Sequence, residues 1–545
     1  MFQWINRLDP YFPIRYSAWV LCMVACAVAT LAWTHMGMRA WPAIVFVGLV
    51  LVGLRDVLQK RHAILRNYPV IGHLRFLLEF VRPEMRQYFI ESDNEAAPFS
   101  RQQRSLVYQR AKGDSDKRPF GTQINVQTIG YEWINHSMQP TMLKTHDFRV
   151  TIGAGRAQPY SASLFNISAM SFGSLSANAI LALNAGARQG NFAHDTGEGS
   201  ISRHHRVHGG DLIWEIGSGY FGCCGADGSF SEERFTANAR DPQVKMIEVK
   251  LSQGAKPGHG GVLPGPKVTL EIAEARGVQP WVDCVSPASH GAFSTPVEMM
   301  HFIERLRELS GGKPTGFKLC IGHPWEWFGI AKAMHETGIV PDFIVVDGAE
   351  GGTGAAPLEF CDHVGAPLQE GLLLVHNTLV GLGLRDRIKL GCAGKVVSAF
   401  DIARMLALGA DWCNAARGFM FALGCIQAQT CHTGHCPTGV TTQEPKRQRA
   451  LDVPSKGDRV YHFHRNTLLA LKELVQAAGL KDPSEITAAH IVRRNSEAGV
   501  KLLANLLPFV KHGALLHGEM PHEVFRVYWP MASATSFTAT PAVAA

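Results

Sequence analysis

The sequence predicts an α/β protein built on a TIM (β/α)8 barrel, with an N-terminal transmembrane hairpin and C-terminal helices. From about residue 151 to 440, short β-branched runs alternate with Gly-rich loops and helical stretches. This alternation covers about 290 residues, close to the usual barrel size of about 250. Two apolar runs fall within the first 60 residues. A doubly wound open sheet is the alternative, but no G-x-G-x-x-G follows the first strand.

Composition limits the classes of protein that need to be considered. The chain has 545 residues, of which 46% are hydrophobic, which is enough for a large core and more than one domain. The net charge is +7, and no long basic run has interleaved aromatic residues, so nucleic-acid binding is not indicated. The twelve cysteines do not form a secreted disulfide framework, which fits a reducing compartment.

Residues 1–60 are predicted to form a transmembrane hairpin anchor. The run Tyr16–Met38 carries no charged residue, and Trp19 and Trp33 lie near its ends like interfacial anchors. The second run, Ala40–Leu54, would reach only about 22 Å as a helix, short of a hydrocarbon core of about 30 Å. A cleaved signal peptide and a buried soluble hairpin are the rival interpretations.

The distribution of basic residues predicts the orientation of this hairpin. Arg and Lys residues precede the first run and follow the second, so the positive-inside rule puts both termini in the cytoplasm. The expected location is therefore the inner (cytoplasmic) membrane, in contact with membrane lipid, with the catalytic domain facing the cytoplasm.

The barrel, with its associated loops, is assigned to residues 151–445. The strand candidates are Leu164–Ser168, Lys245–Lys250, Trp281–Val285, Gly316–Ile321, Phe343–Val346, Ile388–Leu390 and Trp412–Ala415. The helix candidates are Ser174–Gln189, Val297–Leu309, Leu368–Leu382 and Ala399–Leu408. Residues 61–150 are expected to be a connector, and 446–530 a helical extension with helices at Phe463–Gly479 and His490–Pro508. Residues 531–545 are expected to be a disordered tail.

The segment Gly424–Val440 contains three cysteines within a dozen residues. Cys425, Cys431 and Cys436 could ligate an iron–sulfur cluster, since clusters use thiolates and a Cys-Pro pair is a known ending of such runs. Zinc with His432 or His435 is a second possibility. Three unrelated buried thiols are the third.

The pattern L-G-C-I-x-A-x-x-C-H-x-x-x-C-P-x-G-V-x-T-Q, which ends at Gln443, resembles the iron–sulfur loop of the glutamate synthase FMN-binding domain. The resemblance covers about residues 120–510. It implies that the three cysteines hold a [3Fe–4S] cluster, with both histidines as neighbours rather than ligands. It also implies FMN as the second cofactor.

A second motif, Lys250–Gly261, resembles the Q-G-A-K-P-G-E-G-G segment of that family. The resemblance implies that Gln253 and Lys256 face the flavin and the carboxylates of 2-oxoglutarate. A dicarboxylate needs fixed cations and amide donors, which these residue types supply. His259 stands where the family has Glu, so a different acid or imine could be bound.

Shorter motifs imply further contacts with the flavin. Ile167–Gly173 resembles the first strand end of the family, which places Ser168, Ala169 and Met170 against the flavin. Asp195–Gly199 resembles an N-S/T-G-E-G loop with Asp in place of Asn, and its Glu198 is a candidate catalytic residue.

Three other segments are expected to complete the flavin site. Lys318 matches a strand lysine of the family and would place a positive charge near the flavin N1–C2=O group. Gly351 and Gly352 belong to a loop that resembles D-G-G-T-G-A-S/A-P. The phosphate is expected after the last two strands, at Gly394, Arg417 and Gly418.

Together these features predict a membrane-tethered oxidoreductase that reduces the imine of 2-oxoglutarate and ammonia to L-glutamate. A one-electron donor such as ferredoxin or a membrane carrier would supply electrons through the cluster. Free ammonia is expected rather than glutamine, because no N-terminal cysteine nucleophile is present. The alternatives are an amine or amino-acid oxidoreductase that passes electrons to a membrane carrier, and a barrel that has lost catalysis and serves as a membrane-bound scaffold.

Overall fold

The computed structural model describes residues 14–94 and 97–541. The chain divides into two compact units, Met1–Ala96 and Ala97–Ala545. This boundary falls inside the predicted connector of residues 61–150, so that the helix Arg101–Lys112 belongs to the second unit.

Two apolar helices, Ser17–Met36 and Trp41–Leu58, begin the first unit, and both are long and apolar enough to cross a membrane. They pack through Trp19, whose indole Nε1 donates a hydrogen bond to the Val50 carbonyl at 3.0 Å. A Cβ on Gly53 would lie 2.1 Å from the Trp19 ring, so glycine is required for this close approach. The second helix extends beyond the predicted run to 18 residues, or about 27 Å.

The rest of the first unit consists of the helices Ala63–Asn67 and Gly72–Met85 and a π-helix at Arg86–Ile90. Asp56, in the last turn of the second apolar helix, is buried. Its carboxylate accepts a hydrogen bond from the Val70 amide at 3.0 Å and contacts His73 Nε2 at 2.9 Å. The helix Gly72–Met85 therefore begins beside the end of Trp41–Leu58.

A closed barrel of eight parallel strands forms the centre of the second unit, and confirms the predicted fold. The strands are β1 Phe165–Ile167, β2 His194–Asp195, β3 Leu212–Ile216, β4 Val244–Lys250, β5 Thr315–Leu319, β6 Phe343–Asp347, β7 Lys389–Ala393 and β8 Trp412–Ala415. The barrel closes where β8 pairs with β1, with Cys413 opposite Phe165. All residues of β3 and β5 are buried, as expected for parallel strands covered on both faces.

Helices surround the barrel and several begin with side-chain caps. Ser176 Oγ accepts a hydrogen bond from the Ala179 amide, and Thr295 and Glu298 form a capping box. The helices of the barrel region are Ala177–Gly190, Arg203–Arg206, Glu232–Ala239, Leu270–Arg276, Pro296–Leu309, Pro324–Thr337, Leu358–His363, Leu368–Gly381, Ala399–Ala407, Arg417–Leu423, Pro445–Gln448 and Val453–Ala477. The ring of Phe419 lies between Phe165 and Phe463, with ring centroids 5.2 Å from each, and so links β1 to the long helix Val453–Ala477.

The barrel differs from the sequence prediction at three strands. Trp281–Val285 is not a barrel strand: only Cys284–Val285 is extended, and it pairs with Val262–Leu263 in an insertion after β4. Trp281 and Val285 are exposed, so this apolar run does not enter the core. The strands β2 and β3 were missed because β2 has only two residues, both polar, and β3 carries a charged residue, Glu215, in its apolar run.

The C-terminal region also differs from prediction. His490–Pro508 is not a helix: the strands Ile491–Arg494 and Val500–Leu502 pair with each other around a turn, and the first also pairs with Glu132–Ile134. Only Leu503–Leu506 is helical there.

The predicted disordered tail is ordered over its described residues, 531–541. Ala532 and Ala534 are buried. The Ala534 carbonyl accepts a hydrogen bond from the Val297 amide at 3.0 Å, and the Ala532 carbonyl accepts one from Lys332 Nζ at 2.7 Å. Small side chains are what permit this close packing. Residues 542–545 lie outside the described residues.

The segment before the barrel has its own elements. These are the helix Arg101–Lys112, the strand Glu132–Ile134, and the antiparallel pair Arg149–Ile152 and Tyr160–Ser163. Short helices at Pro483–Glu485 and Glu523–Tyr528 complete the unit.

Candidate active site

A cavity of about 1220 Å³ opens at the carboxyl ends of the barrel strands. This is the end where barrel enzymes carry their active sites. Every predicted site residue except Cys436 lines it: Ser168, Ala169, Met170, Glu198, Gln253, Lys256, Lys318, Gly351, Gly352, Gly394, Arg417, Gly418, Cys425 and Cys431. The fold thus brings together residues that are up to 263 positions apart in the chain, from Ser168 to Cys431.

The floor of the cavity is charged and buried. Lys318 on β5 is ion-paired with Glu215 on β3, and its Nζ lies 3.6 Å from Glu248 Oε1 on β4. Lys318 is 4% exposed, Glu215 2% and Glu248 0%, so this ammonium group has carboxylate partners instead of water. A lysine fixed in this way can present positive charge to the cavity without moving.

The carboxyl groups beneath Lys318 form a compact set. Oxygen atoms of Asp195, Glu215 and Glu248 lie within 4.8 Å of one another. Burial is the main cause that raises the pKa of Asp195 and, more strongly, the pKa of Glu248, where the neighbouring Asp195 adds to the effect. The ammonium of Lys318 is ion-paired with Glu215 and lies 3.6 Å from Glu248 Oε1, so Glu215 is its main counter-ion.

Asp347, at the end of β6, adds a further carboxyl group to this floor. Its Oδ2 accepts a hydrogen bond from the Gly254 amide at 2.9 Å. Burial raises its pKa, and Lys318 opposes that rise. A Cβ on Gly254 would lie 1.9 Å from the Gly348 carbonyl, so the loop that carries Gln253 can lie against β6 only because residue 254 is glycine.

Glu198 faces the cavity beside a lysine. Its Oε1 lies 3.1 Å from Lys250 Nζ, and both side chains are largely buried. Burial by itself raises the pKa of Glu198, but the charge and hydrogen bond of Lys250 outweigh it and the net pKa is lowered. Glu198 is therefore a fixed carboxylate at neutral pH.

Lys256 and Gln253 lie on the loop that follows β4. Lys256 is 5% exposed, and its Nζ donates to the Gly260 carbonyl at 3.3 Å, a long hydrogen bond. Burial lowers the pKa of this lysine, and Glu198 opposes that fall. This ammonium group has no carboxylate ion pair within the described residues, so it is available to an anionic ligand.

His259 lies outside the cavity lining. Its side chain is exposed, its Nδ1 is 2.8 Å from the Gly260 carbonyl, and its ring lies edge-on to Phe360 at 5.5 Å. The replacement of the family's Glu by His at this position therefore does not alter the cavity wall directly.

The carboxyl ends of β7 and β8 present backbone and one guanidinium to the cavity. Arg417 Nη2 donates to the Thr353 carbonyl at 2.8 Å, and a Cβ on Gly352 would lie only 3.1 Å from that nitrogen. Gly394 also lines this end of the cavity, whereas the back of Gly418 lies against the Phe463 ring. A cation beside glycine backbone suits a phosphate, which needs both charge and close approach.

Three basic residues of the cavity wall were missed by the sequence analysis: Lys267, Arg276 and Lys395. The first two lie in the insertion after β4, at the ends of the short helices Gly265–Lys267 and Leu270–Arg276, which the sequence analysis did not identify. Arg276 is buried, donates to the Phe172 carbonyl at 3.1 Å and lies over the Phe221 ring at 5.2 Å. Lys395 directly follows Gly394, so its place beside the predicted phosphate loop was a usable signal.

The cysteine segment lies at the rim of the same cavity. The preceding helix ends at Leu423, and Gly424, at φ 109°, turns the chain so that Cys425 already lies outside the helix. The chain thus leaves the helix before the first of the three thiols. Tyr108 OH donates to the Cys425 carbonyl at 2.6 Å, and Lys267 Nζ donates to the Cys431 carbonyl at 2.7 Å.

The three thiols influence one another electrostatically. Burial raises the pKa of Cys425 to about 11, and Cys431 and Cys436 add to that rise. Burial also acts to raise the pKa of Cys436, but hydrogen bonds from Thr438 and Thr441 bring it down to about 7. His432 and His435 are exposed.

The distances between the three thiols indicate which kind of metal site they could form. Over residues 14–94 and 97–541, the Asp195 set is the only group of three potential ligands with atoms within 4.8 Å of one another. The thiols therefore lie farther apart than the ligands of a single zinc ion. Wider spacing suits a cluster, in which each thiolate binds a different iron.

The region that forms this cavity is similar in sequence to known proteins. The family model described as the conserved region in glutamate synthase matches residues 133–481, more than half of the chain. The glutamate synthase large subunit-like protein YerD of Bacillus subtilis is 37% identical over 513 residues, which cover 87% of this chain and 97% of that protein.

Two other relatives are matched over part of their length. The archaeal-type glutamate synthase [NADPH] of Thermotoga neapolitana is 34% identical over 331 residues, 61% of each chain. The ferredoxin-dependent glutamate synthase of Antithamnion sp. is 32% identical over 49% of this chain and 18% of its own. The matched region contains the barrel, the residues of the cavity floor and the three cysteines, and the chain belongs to the glutamate synthase family.

Proposed function

We propose that this protein is an FMN and iron–sulfur oxidoreductase that reduces the imine of 2-oxoglutarate and ammonia to L-glutamate. One observation carries the proposal: two buried lysines, Lys318 and Lys256, lie at one cavity beside three cysteines. Membership of the glutamate synthase family supports it, and relatives are named as glutamate synthases that use NADPH or ferredoxin.

The cavity residues fit FMN. Lys318 would lie against the flavin ring, Ser168, Ala169 and Met170 would lie against it from the end of β1, and Arg417 with the glycines of the β6 and β7 loops would hold the phosphate. The glycine positions support this fit, because a Cβ on Gly352 would crowd the Arg417 guanidinium. When bound, FMN supplies hydride transfer and can accept electrons singly or in pairs.

Substrate binding is assigned to the loop after β4. The carboxylates of 2-oxoglutarate require buried cations, and Lys256 and Arg276, both in the insertion after β4, supply them. Gln253 adds an amide donor at the same wall. Ammonia and the ketone form the imine with loss of water, and reduction then adds a hydride to carbon and a proton to nitrogen.

Glu198 is assigned the role of binding the nitrogen atom of the substrate. Its carboxylate is kept ionised by Lys250 and can accept a hydrogen bond from the amino or iminium nitrogen. A fixed negative charge at that point favours the protonated imine, which is the better hydride acceptor.

The three cysteines are proposed to ligate one [3Fe–4S] cluster. They supply three thiolates and no fourth, and Lys267 places a cation beside them. The electron donor would then be ferredoxin or a membrane carrier, since either delivers electrons one at a time. The cluster would pass electrons toward the cavity, which Cys425 and Cys431 both line.

Residues 14–58 are proposed to anchor the protein in the inner membrane, with the barrel in the cytoplasm. The support is two adjacent helices that are long and apolar enough to cross a membrane. No residue of Ser17–Met36 is buried, which is unusual for an apolar core helix. Recovery of the full-length protein in the soluble fraction without detergent would contradict the anchor, as would cleavage of the barrel by protease added outside intact cells.

The proposed reaction can be tested by following flavin absorbance under anaerobic conditions. The purified protein is first reduced with a one-electron donor and then mixed with substrates. Reoxidation should require 2-oxoglutarate and ammonium together. Reoxidation by other 2-oxo acids at equal rates, or reduction of the oxidised protein by an amine but not by glutamate, would instead support the amine or amino-acid oxidoreductase.

A further inference from the structure

The helix Gly72–Met85 and its π-helical continuation Arg86–Ile90 carry an apolar stripe that no part of their own unit covers. The stripe consists of side chains at helical spacing that are between 47% and 77% exposed: Leu74, Leu77, Leu78, Met85, Tyr88 and Phe89. A surface helix normally turns such a stripe toward a core. An exposed stripe of this length marks a surface that binds something else.

The first turns on the opposite side of this helix are occupied by contacts within the unit, whereas Phe80, one turn farther along that side, is 79% exposed. His73 Nε2 contacts the Asp56 carboxylate, and the Phe76 ring lies edge-on to His62 at 5.8 Å. Gly72 lies against Leu65, since a Cβ there would be 3.0 Å from the leucine side chain. Positions 73 and 76 share one face, so the contacts within the unit orient the stripe away from residues 56–65.

The same contacts fix the level of the helix relative to the hairpin. Asp56 is in the last turn of Trp41–Leu58, the second apolar helix, and it holds both Val70 and His73. If that helix spans the bilayer, its end lies at the bilayer surface. Asp56 then tethers the start of Gly72–Met85 at the level of the lipid headgroups. This step rests on the proposed membrane anchor.

The charges of the segment match an anionic surface. Between residues 55 and 90 there are seven Lys or Arg residues and three acidic ones. Arg75, Arg82 and Arg86 are exposed on the helix beside the stripe. Arg75 forms an ion pair with Glu79 and Arg86 forms one with Glu91, and all three arginines remain at the surface, within reach of lipid phosphates. A helix with a strong apolar face and flanking arginines is the pattern of helices that lie in the membrane interface.

We propose that Gly72–Ile90 is an interfacial helix that lies on an anionic phospholipid bilayer, with its apolar stripe in the boundary between headgroups and acyl chains. The anchor would then consist of two spanning helices and one surface helix. The surface helix would set the distance from the membrane at which the following chain begins.

The test uses the full-length protein in vesicles of phosphatidylethanolamine and phosphatidylglycerol, with a photoreactive benzophenone amino acid at single positions. Leu77 lies on the stripe, Glu79 lies off it, and Leu31 is 58% exposed on the first apolar helix. Lipid adducts, measured by mass spectrometry, should be abundant from positions 77 and 31. They should be at least about tenfold fewer from position 79, since interfacial helices bury only their apolar face.

Each other outcome counts against the proposal. If position 31 gives lipid adducts while position 77 gives adducts only with protein, the anchor stands and the stripe docks on protein instead. If neither position gives lipid adducts, the anchor itself is contradicted and the interfacial helix with it. Equal yields from positions 77 and 79 would show a helix that is not oriented on the surface.

A paired substitution gives an independent check. Leu74→Glu with Leu78→Glu places two charges on the stripe and should lower the lipid adduct yield at position 77 by about tenfold. Gln87→Glu adds a charge off the stripe and should leave the yield unchanged. An unchanged yield in the double variant would overturn the proposal.

Discussion

The floor and the rim of the cavity hold their charged groups in different ways. On the floor, Lys318 and its carboxylate partners sit on neighbouring barrel strands, are almost fully buried and neutralise one another. On the rim, Lys256 and Cys431 are positioned by loops: Lys256 Nζ donates to the Gly260 carbonyl, and the Cys431 carbonyl accepts from Lys267 Nζ. The ammonium of Lys318 is therefore paired by the fold itself, whereas the Lys256 ammonium and the Cys431 thiol remain available for a ligand.

The largest expected effect is at the rim. Cys431→Ser should abolish cluster iron and its absorbance, because three thiolates are the whole protein ligand set proposed. FMN should be retained, since none of the three cysteines is among the residues assigned to hold it. Iron and flavin analysis of anaerobically purified protein measures both. Cys22→Ser, in the first apolar helix, is the matched control and should keep its iron. Stoichiometric zinc without iron in the wild type would refute the cluster.

A substitution on the cavity floor should change the free energy of unfolding. Lys318→Met leaves Glu215 and Glu248 buried without their cation, and should lower the free energy of unfolding by about 3–5 kcal/mol. Denaturant unfolding of the detergent-solubilised protein measures this change. Lys245→Met removes a more exposed pair with Asp211 and should cost about 0–1 kcal/mol. The flavin midpoint potential should also fall in the Lys318 variant, and an unchanged potential would refute its role beside the flavin.

Substrate affinity should depend on the rim lysine. Lys256→Gln keeps a polar, hydrogen-bonding side chain but shortens it and removes the charge, and should weaken 2-oxoglutarate binding by about 10- to 100-fold. The change in flavin absorbance on titration reports the binding. His259→Glu, outside the cavity lining, should alter the affinity by less than about threefold. Tight binding that appears only in the His259 variant would show that the natural substrate is another acid.

The smallest expected effect is on the pH dependence of protein stability. The pKa of Glu248 is raised in the folded protein, so the folded state holds a proton that the unfolded state releases above the ordinary pKa. Stability from this group is thus full at low pH and is lost as pH rises toward the folded pKa. Glu248→Gln should remove this loss, which amounts to at most about 1.4 kcal/mol per pH unit. Exposed Glu473→Gln should leave the pH profile unchanged, and a steeper profile in Glu248→Gln would contradict the assignment.

The difference between the floor and the rim of the cavity also explains which site residues the sequence could predict. Lys318 was recognisable because it lies between the apolar residues Phe317 and Leu319 of a strand. Its partner Glu215 was not, because β3 was not recognised as a strand and a lone acidic residue in an apolar run has no local signature. The pairing of β3 with β4 and of β4 with β5 brings these side chains together, so this ion-pair network is a tertiary feature.

At the rim, prediction depended on motifs. The cysteine segment and the Gln253 loop could be identified in a single sequence, because the spacing of their residues matches motifs of the family. Arg276 and Lys267 lie in the irregular insertion after β4, and their approach to the cavity follows from how that insertion folds back. The misassigned strand at Trp281–Val285 has the same origin, since an exposed apolar run has the same composition as a buried one.

The most direct test of the account is the incorporation of labelled nitrogen. The full-length protein, with FMN and iron confirmed, is reduced anaerobically and supplied with 2-oxoglutarate and ¹⁵N-ammonium, and the product is analysed by mass spectrometry. The account predicts ¹⁵N-labelled L-glutamate from the wild type, and a yield in Lys256→Gln lower by about tenfold or more at limiting 2-oxoglutarate. Absence of labelled glutamate from the fully loaded, reduced wild type would contradict the proposed reaction.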